Sequence, residues 1–481
     1  MKFPPRLMAA FVGWITFGCL AFSLTTCHAA PDNDADAAAH TNVIVILTDD
    51  MGYADLGING CEQIQTPNID QLMRDGVKFS NAYVTASVCC PSRAGLLTGR
   101  YQQRFGHEFN NFSIPINGYT QAEMGLPVEE RTIGNAFQDA GYRTCCVGKW
   151  HMGGGEQFDP VKRGFDEVFA IEAGHRNYRS YPGNTRRSYR IQINEHDLLP
   201  ESQVTYVTDD LTAAAVNFIR TQRDTPFFLY LAYTAPHAPM QGKDADEAIY
   251  SSISDPKRRT YAAMLKALDD GVGSLRQSLA DNQLDQNTLI VFANDNGGAT
   301  NNGSDNGAFR GMKGSKWEGG IHVPFSMTWP AKLTPGTTYE NPISTLDILP
   351  TTLAAAEAGY QGLPLDGVNL LPFISGEDTG RPHDVLYWRR GVAAAVRTGN
   401  WKLIRVEGNP DLLFDLATDP SERQDLSREH GEQVQTMRRQ LEAWEKELAP
   451  PRWTEGKKWS NFQVLKHQMS VQTRDQERKY P

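Results

Sequence analysis

Three stretches of this chain are apolar without interruption over the length of a strand: Val43-Ile-Val-Ile-Leu47, Phe227-Phe-Leu-Tyr-Leu-Ala-Tyr233 and Leu289-Ile-Val-Phe-Ala293. A strand wetted on one face alternates polar and apolar residues, so strands without alternation must be covered on both faces. That places them inside a parallel sheet with helices above and below. A fourth strand, Arg143-Thr-Cys-Cys-Val147, fits beside them, and helices are read at 68–75, 132–140, 211–220, 259–279 and 344–358. The alternation predicts a doubly wound α/β domain, a mixed sheet flanked by helices. Open sheets of this kind place ligands at the carboxyl ends of their strands. Here those ends carry Asp49-Asp50, Lys149 and His151, His237, and Asp295-Asn296.

The texture changes beyond Asp366. Short strand-like pieces at 385–388, 392–397, 402–406 and 412–415 fit a small antiparallel sheet, followed by a helix over 431–448. The domain plan is therefore a catalytic domain over 41–366, a C-terminal α+β subdomain over 367–450 and a polar tail over 451–481. At the other end Lys2 and Arg6 precede an apolar run from Leu7 to Leu24 and small residues at Ala29-Ala30, the pattern of an export signal over 1–30. A loose spacer over 31–40 follows. Cys27, after Leu24-Thr25-Thr26, loosely resembles a lipoprotein box, although Thr26 is large for its slot. No other stretch approaches membrane-spanning length, so the mature chain is expected in the periplasm or outside the cell.

Net charge is −10 in 481 residues, with no large basic block in the core, which excludes nucleic acid as an expected partner. An acidic protein acting on an anion needs local positive charge, from a metal or from clustered Lys and Arg. Asp49, Asp50, Asp295 and Asn296 make an all-oxygen donor set suited to Ca²⁺ or Mg²⁺ and poor for zinc. Cys61, Cys89, Cys90, Cys145 and Cys146 remain after the export segment, an odd number with two adjacent pairs and no disulfide framework.

The most informative segment is Cys89-Cys90-Pro91-Ser92-Arg93-Ala94-Gly95-Leu96-Leu97-Thr98-Gly99-Arg100. It reads as a thiol at the start of a helix, where an anion meets the positive end of the dipole. Cys-x-Pro-Ser-Arg followed by Leu-Thr-Gly-Arg resembles the signature of the formylglycine-dependent sulfatases of the alkaline phosphatase superfamily. The resemblance runs from about Asn42 to Val323, more loosely beyond. It implies an alkaline phosphatase-like fold, oxidation of Cys89 (not Cys90) to formylglycine by a maturation enzyme, and a divalent cation, usually Ca²⁺, held by Asp49, Asp50, Asp295, Asn296 and modified Cys89. Arg93 and Lys149 would orient the formylglycine hydrate. His237 and Lys313 would contact the sulfate ester and assist the leaving oxygen, and His151 would take a proton from the second hydroxyl. Hydrolysis would pass through a sulfated enzyme.

One departure concerns the segment after Gly164-Phe165-Asp166, where some members place a Ser in the sulfate pocket. Gly174 occupies that slot here, so His175 or the Gly174 amide is expected to replace the lost bond. Arg104, His107, Trp388 and Arg389, in aromatic-bearing segments, are further candidates for contacts to a sulfated polysaccharide or oligosaccharide. Two other functions fit the same residues: a formylglycine-dependent phosphonate monoester or phosphodiester hydrolase, and a catalytically silent sulfated-glycan-binding protein. The sequence carries no signal of oligomeric state.

Overall fold

The computed structural model describes residues 40–468, except 112–117, 196, 223–224, 458–459, 462 and 466. The export segment, Cys27, nearly all of the spacer and the end of the tail lie outside the described residues. Ten strands form the main sheet. From edge to edge they are Thr337–Tyr339, Val77–Phe79, Phe325–Thr328, Thr288–Asn294, Asn42–Thr48, Phe227–Ala232, Arg143–Lys149, Glu167–Ile171, Ile191–Ile193 and Asp197–Leu198. The five from Thr288–Asn294 to Glu167–Ile171 are parallel, and antiparallel strands flank them on both sides.

The uninterrupted apolar runs are central strands, as their patterning requires. Along Asn42–Thr48, Val43, Val45 and Leu47 face one core, while Ile44 and Ile46 face the other. Phe228 and Tyr230 share the first face, and Phe227, Leu229 and Leu231 the second. Helix Ile133–Asp139, helix Ile348–Ala355 and the Cys89–Thr98 helix cover the first layer. Pro67–Arg74, Val207–Thr221 and the long Pro256–Asp281 cover the second. Cys145 and Cys146 point to opposite layers, and all five described cysteines are free. The 344–358 segment is less regular than its pattern suggested: a 3-10 turn at Thr345–Asp347 precedes helix Ile348–Ala355.

Parallel register decides what the sheet does. Thr48 pairs with Asn294, Leu47 and Gly148 with Ala232, and Lys149 with Ile171. The five strands therefore end at one level, and every polar cluster that follows emerges at the same rim.

The C-terminal segment builds a four-stranded antiparallel sheet of Val385–Arg390, Ala393–Thr398, Trp401–Val406 and Leu412–Asp415. One face packs helix Gly431–Glu445 through Val396, Leu403, Leu413, Met437 and Leu441. The other packs the main body through Trp388, Ala395, Ile404 and Phe414 against Tyr83, Val84, Trp317 and Ile321. A buried ionic network crosses this junction: Lys402 Nζ lies 2.7 Å from Glu318 Oε1 and 2.8 Å from Glu422 Oε1, and Tyr83 OH donates to Glu318 Oε2 at 2.7 Å. The described residues belong to one compact unit. The start of the polar tail is integral to it. Arg452 N donates to Gly106 O at 2.9 Å, and Trp453 is buried beside His107 and Phe109 and donates to Asn110 O at 2.9 Å. Among the described residues no helix is long and apolar enough to cross a membrane.

Candidate active site

The helix Cys89–Thr98 is buried over its whole length and points its first residue at the sheet rim. Cys89 Sγ lies 3.6 Å from Asp49 Oδ1 and 3.1 Å from Lys313 Nζ. One turn on, Arg93 is fully buried. Its Nε and Nη2 both reach Asp295 Oδ2 at 2.9 Å, Nη2 lies 3.6 Å from Asp49 Oδ2, and Nη1 donates to Lys149 O at 2.8 Å. Lys149 ends its strand with Nζ 2.6 Å from Asp49 Oδ2. Lys313 reaches Asp50 Oδ1 at 2.7 Å from a loop fixed by its backbone: Lys313 N donates to Gly298 O at 3.1 Å, and Gly314, at φ +87°, donates to Ser87 O at 2.7 Å. A left-handed backbone there suits glycine alone.

Two non-glycine residues at the rim also adopt positive φ, Asp50 at 64° and His151 at 57°. Such strain costs about 1–3 kcal/mol each and persists where surrounding structure over-determines the position. For Asp50 it turns the amide toward Asp295 Oδ1 at 3.4 Å.

Opposite demands act on the titratable groups. Burial pushes the Cys89 thiol up, but Lys149 and Lys313 outweigh it and bring it down to about 6. Cys90, one residue on, is pushed up by burial, which the Asn111 backbone, Lys149 and Arg93 offset too little, and its Sγ lies 2.8 Å from His107 Nε2. Burial would raise Asp50 as well, yet Lys313 and His237 hold its carboxyl well below the usual range. Asp295 is pushed up to about 6, by burial and then by the charge of Asp49. The two histidines diverge. Burial, followed by the charges of Lys149 and Arg93, drives His151 far down, so it is neutral, and its buried Nδ1 has no partner. Burial also opposes charge on His237, but Asp49 and Asp50 together outweigh it and raise the imidazole; Nδ1 donates to Ala238 O at 2.6 Å and Nε2 stands 3.5 Å from Asp50 Oδ2.

These residues fit a hard cation. Asp49, Asp50 and Asp295 are buried carboxylates, Asn296 Nδ2 donates to Asp50 Oδ1 at 2.8 Å, and the buried Asn296 Oδ1 accepts no hydrogen bond. Ligand atoms of Asp49, Asp50, Cys89 and His237 all lie within 4.8 Å of one another. Asp295 stands outside that group, with its Oδ2 held by Arg93. His237 is the member that sequence reading had placed only with the sulfate ester; nothing in Ala235-Pro236-His237-Ala238-Pro239 signals where its ring points.

Gly174 lies directly behind His151: a Cβ added there would stand 2.5 Å from His151 Cε1 and 2.7 Å from Nε2. A side chain at 174 would therefore have to displace this imidazole. His175 is exposed and its ring stands 6.1 Å from that of His237.

The structure places the four other candidate substrate contacts in packed or paired positions. Trp388 is buried between sheet and body, its Nε1 donating to Val84 O at 2.6 Å. His107 is buried against Cys90 and Trp453. Arg104 is committed to Asp366, with Nε at 2.8 Å from Oδ2, and to Glu447 at 3.0 Å. Arg389 pairs with Glu108 on a separate cavity of about 910 Å³ beside the tail. Their aromatic or basic character serves packing and bracing, which sequence alone cannot distinguish from binding.

Carboxylates, basic groups and a nucleophile position gathered at the rim of this sheet define a hydrolase of the alkaline phosphatase superfamily. Residues 41–358 match the family model described as Sulfatase, and 312–447 match N-sulphoglucosamine sulphohydrolase, C-terminal. Mouse N-acetylgalactosamine-6-sulfatase is 33% identical over 76% of this chain and 72% of its own. Human arylsulfatase A is 33% identical over 80% of this chain and 83% of its own. The crystal structure of Ps i-CgsB in complex with k-i-k-neocarrahexaose superposes with TM-score 0.81 at 35% identity, covering 92% of this chain and 100% of that one. The chain belongs to the sulfatase family. It is a sulfuric ester hydrolase.

Two outcomes follow from the site. Ca²⁺ should raise thermal stability, by about 2.7 kcal/mol at a hundredfold excess over its dissociation constant. A calorimetric scan with and without chelator measures this, and Asp50→Ala should abolish the increment. Gly174→Ser should lower kcat by about 10²-fold by displacing His151, rather than add a useful hydroxyl. Steady-state kinetics with an aryl sulfate checks it; unchanged kcat would mean that His151 yields freely.

Proposed function

We propose that the chain releases inorganic sulfate from a sulfated carbohydrate, with residue 89 acting as formylglycine. A carrageenan-type galactan oligosaccharide is the first substrate to offer. The observation that carries the chemistry is the placement of the Cys89 side chain between Asp49 and Lys313, at a point where positive charge favours an anion, while Cys90 faces away into His107. The whole-length likeness to a protein crystallised with a neocarrahexaose supports the substrate class. The apolar run after Lys2 and Arg6 supports export, to the periplasm or beyond, and maturation requires an enzyme that oxidises Cys89.

Once oxidised and hydrated, residue 89 would supply an oxygen nucleophile with one hydroxyl deprotonated, and a hard cation held by Asp49, Asp50, Asp295 and Asn296 would supply the positive charge that favours this anion. Arg93, fixed by Asp295, aligns Lys149 through its carbonyl, and both keep positive charge beside residue 89. Lys313 holds a sulfuryl oxygen or the bridging oxygen. The bond from sulfur to the alcohol oxygen breaks as that from sulfur to residue 89 forms, and His237, which favours its protonated state, delivers a proton to the alcohol. Neutral His151 then takes the proton of the remaining hydroxyl, so that the bond between residue 89 and the sulfate oxygen breaks and the aldehyde returns.

Sulfate release should be measured from neocarrageenan hexasaccharides, chondroitin 6-sulfate hexasaccharide, 4-nitrophenyl sulfate and a phosphonate monoester, with peptide mass spectrometry of residue 89. Turnover of sulfated sugars by enzyme carrying the aldehyde at 89 is expected. Preference for the phosphonate, or full activity with an unmodified thiol, would overturn the reading. His237→Ala should depress sugar sulfates more than the aryl sulfate, whose leaving group needs little protonation, whereas His151→Ala should stop after one turnover with a sulfuryl group retained on the intact chain.

A further inference from the structure

Beside the catalytic centre lies a second cavity of about 400 Å³, walled by residues 175–189. His175 is the shared wall. Its ring stands 6.1 Å from His237 and 5.3 Å, edge-on, from Tyr189 on the cavity side. The loop is preorganised by one carboxylate. Glu201 accepts from Arg176 Nη2 at 3.0 Å, Tyr181 N at 3.1 Å and Asn184 Nδ2 at 3.3 Å. Arg176 is 2% exposed, lines the cavity, and its buried Nη1 has no hydrogen-bond partner. Arg186 is exposed, extends over the Tyr189 ring at 6.0 Å, and pairs with no carboxylate among the described residues. No acidic side chain lines the cavity, although the chain carries a net charge of −10.

We propose that this cavity is a subsite for the sugar residue adjoining the scissile sulfate, and that Arg186 recognises a second sulfate on that sugar. The inference rests on the carbohydrate reading above and deepens it. Tyr181 and Tyr189 offer faces to the C–H side of a pyranose, and Asn177 and Asn184 bring amides suited to hydroxyls. A planar guanidinium matches a sulfate's oxygens in the two-pronged way it matches other oxyanions. Retention of basic groups and exclusion of acidic ones at this one cavity selects for a polysulfated chain. The shared His175 wall then ties occupation of the subsite to the position of the leaving sugar beside His237.

The test compares wild type with Arg186→Gln, at an exposed position, and Tyr189→Ala, at a half-buried one that packs against the core, with the thermal midpoint of each variant measured to show that it folds. The substrates are a neocarrahexaose or a chondroitin 6-sulfate hexasaccharide, whichever the wild type desulfates, the same oligosaccharide stripped of flanking sulfates, and 4-nitrophenyl sulfate. Arg186→Gln should raise KM for the fully sulfated oligosaccharide about tenfold or more with kcat retained, and leave the other two substrates unchanged. Tyr189→Ala should raise KM for both oligosaccharides and spare the aryl sulfate. Variants that match wild type on the oligosaccharides, or lose equally on the aryl sulfate, would overturn the subsite while the carbohydrate reading stands. A wild type that cleaves the aryl sulfate and neither hexasaccharide would overturn both.

Discussion

Everything at the sheet rim depends on balancing buried charge. Asp49, Asp50 and Asp295 are out of water beside Arg93, Lys149, Lys313 and His237. Each ion alone would be prohibitively costly to bury, and removing one partner of such a pair typically costs about 3–5 kcal/mol. The cluster tolerates burial only because acids and bases arrive together, from the common level of the parallel strand ends, the Cys89–Thr98 helix and the Lys313 loop. A hard cation adds charge to the same balance, and the unpartnered Asn296 Oδ1 shows a ligand atom not used by the protein's own bonds.

That balance also divides labour between two histidines of identical intrinsic chemistry. His151 sits behind Lys149 and beside the cationic Arg93, and is kept neutral with a free nitrogen. His237 faces the carboxylates, which raise its imidazole. In the mechanism proposed above one accepts a proton and the other donates one, a difference that comes from their neighbours rather than from residue type.

The C-terminal sheet is more than an appendage. Glu318 follows Lys313 by five residues, and Lys402 and Glu422 clamp it across the junction. The backbone of the Lys313 loop is thus tied on one side to the Cys89 approach through Ser87 and on the other to the C-terminal sheet. The tail contributes likewise: Trp453 closes over His107, which in turn abuts Cys90 on the nucleophile helix.

Sequence by itself determined the layer architecture, because unbroken apolar strands admit no other environment, and it singled out the residues that the fold gathers at one rim, because Asp49, Asp50, Lys149, His151, His237, Asp295 and Asn296 follow strand ends, Cys89 and Arg93 stand in a distinctive linear string, and Lys313 lies in a glycine-flanked loop. It did not determine which aromatic and basic residues bind and which brace. Trp388 and Arg389 are neighbours in sequence, yet one is core and the other is neutralised by Glu108, since strand alternation sends them to opposite faces and only packing says what each face meets. Gly174 looked like a lost hydroxyl, and only the structure shows the His151 ring occupying its space. Those decisions are long-range contacts between segments far apart in the chain, which no local pattern encodes.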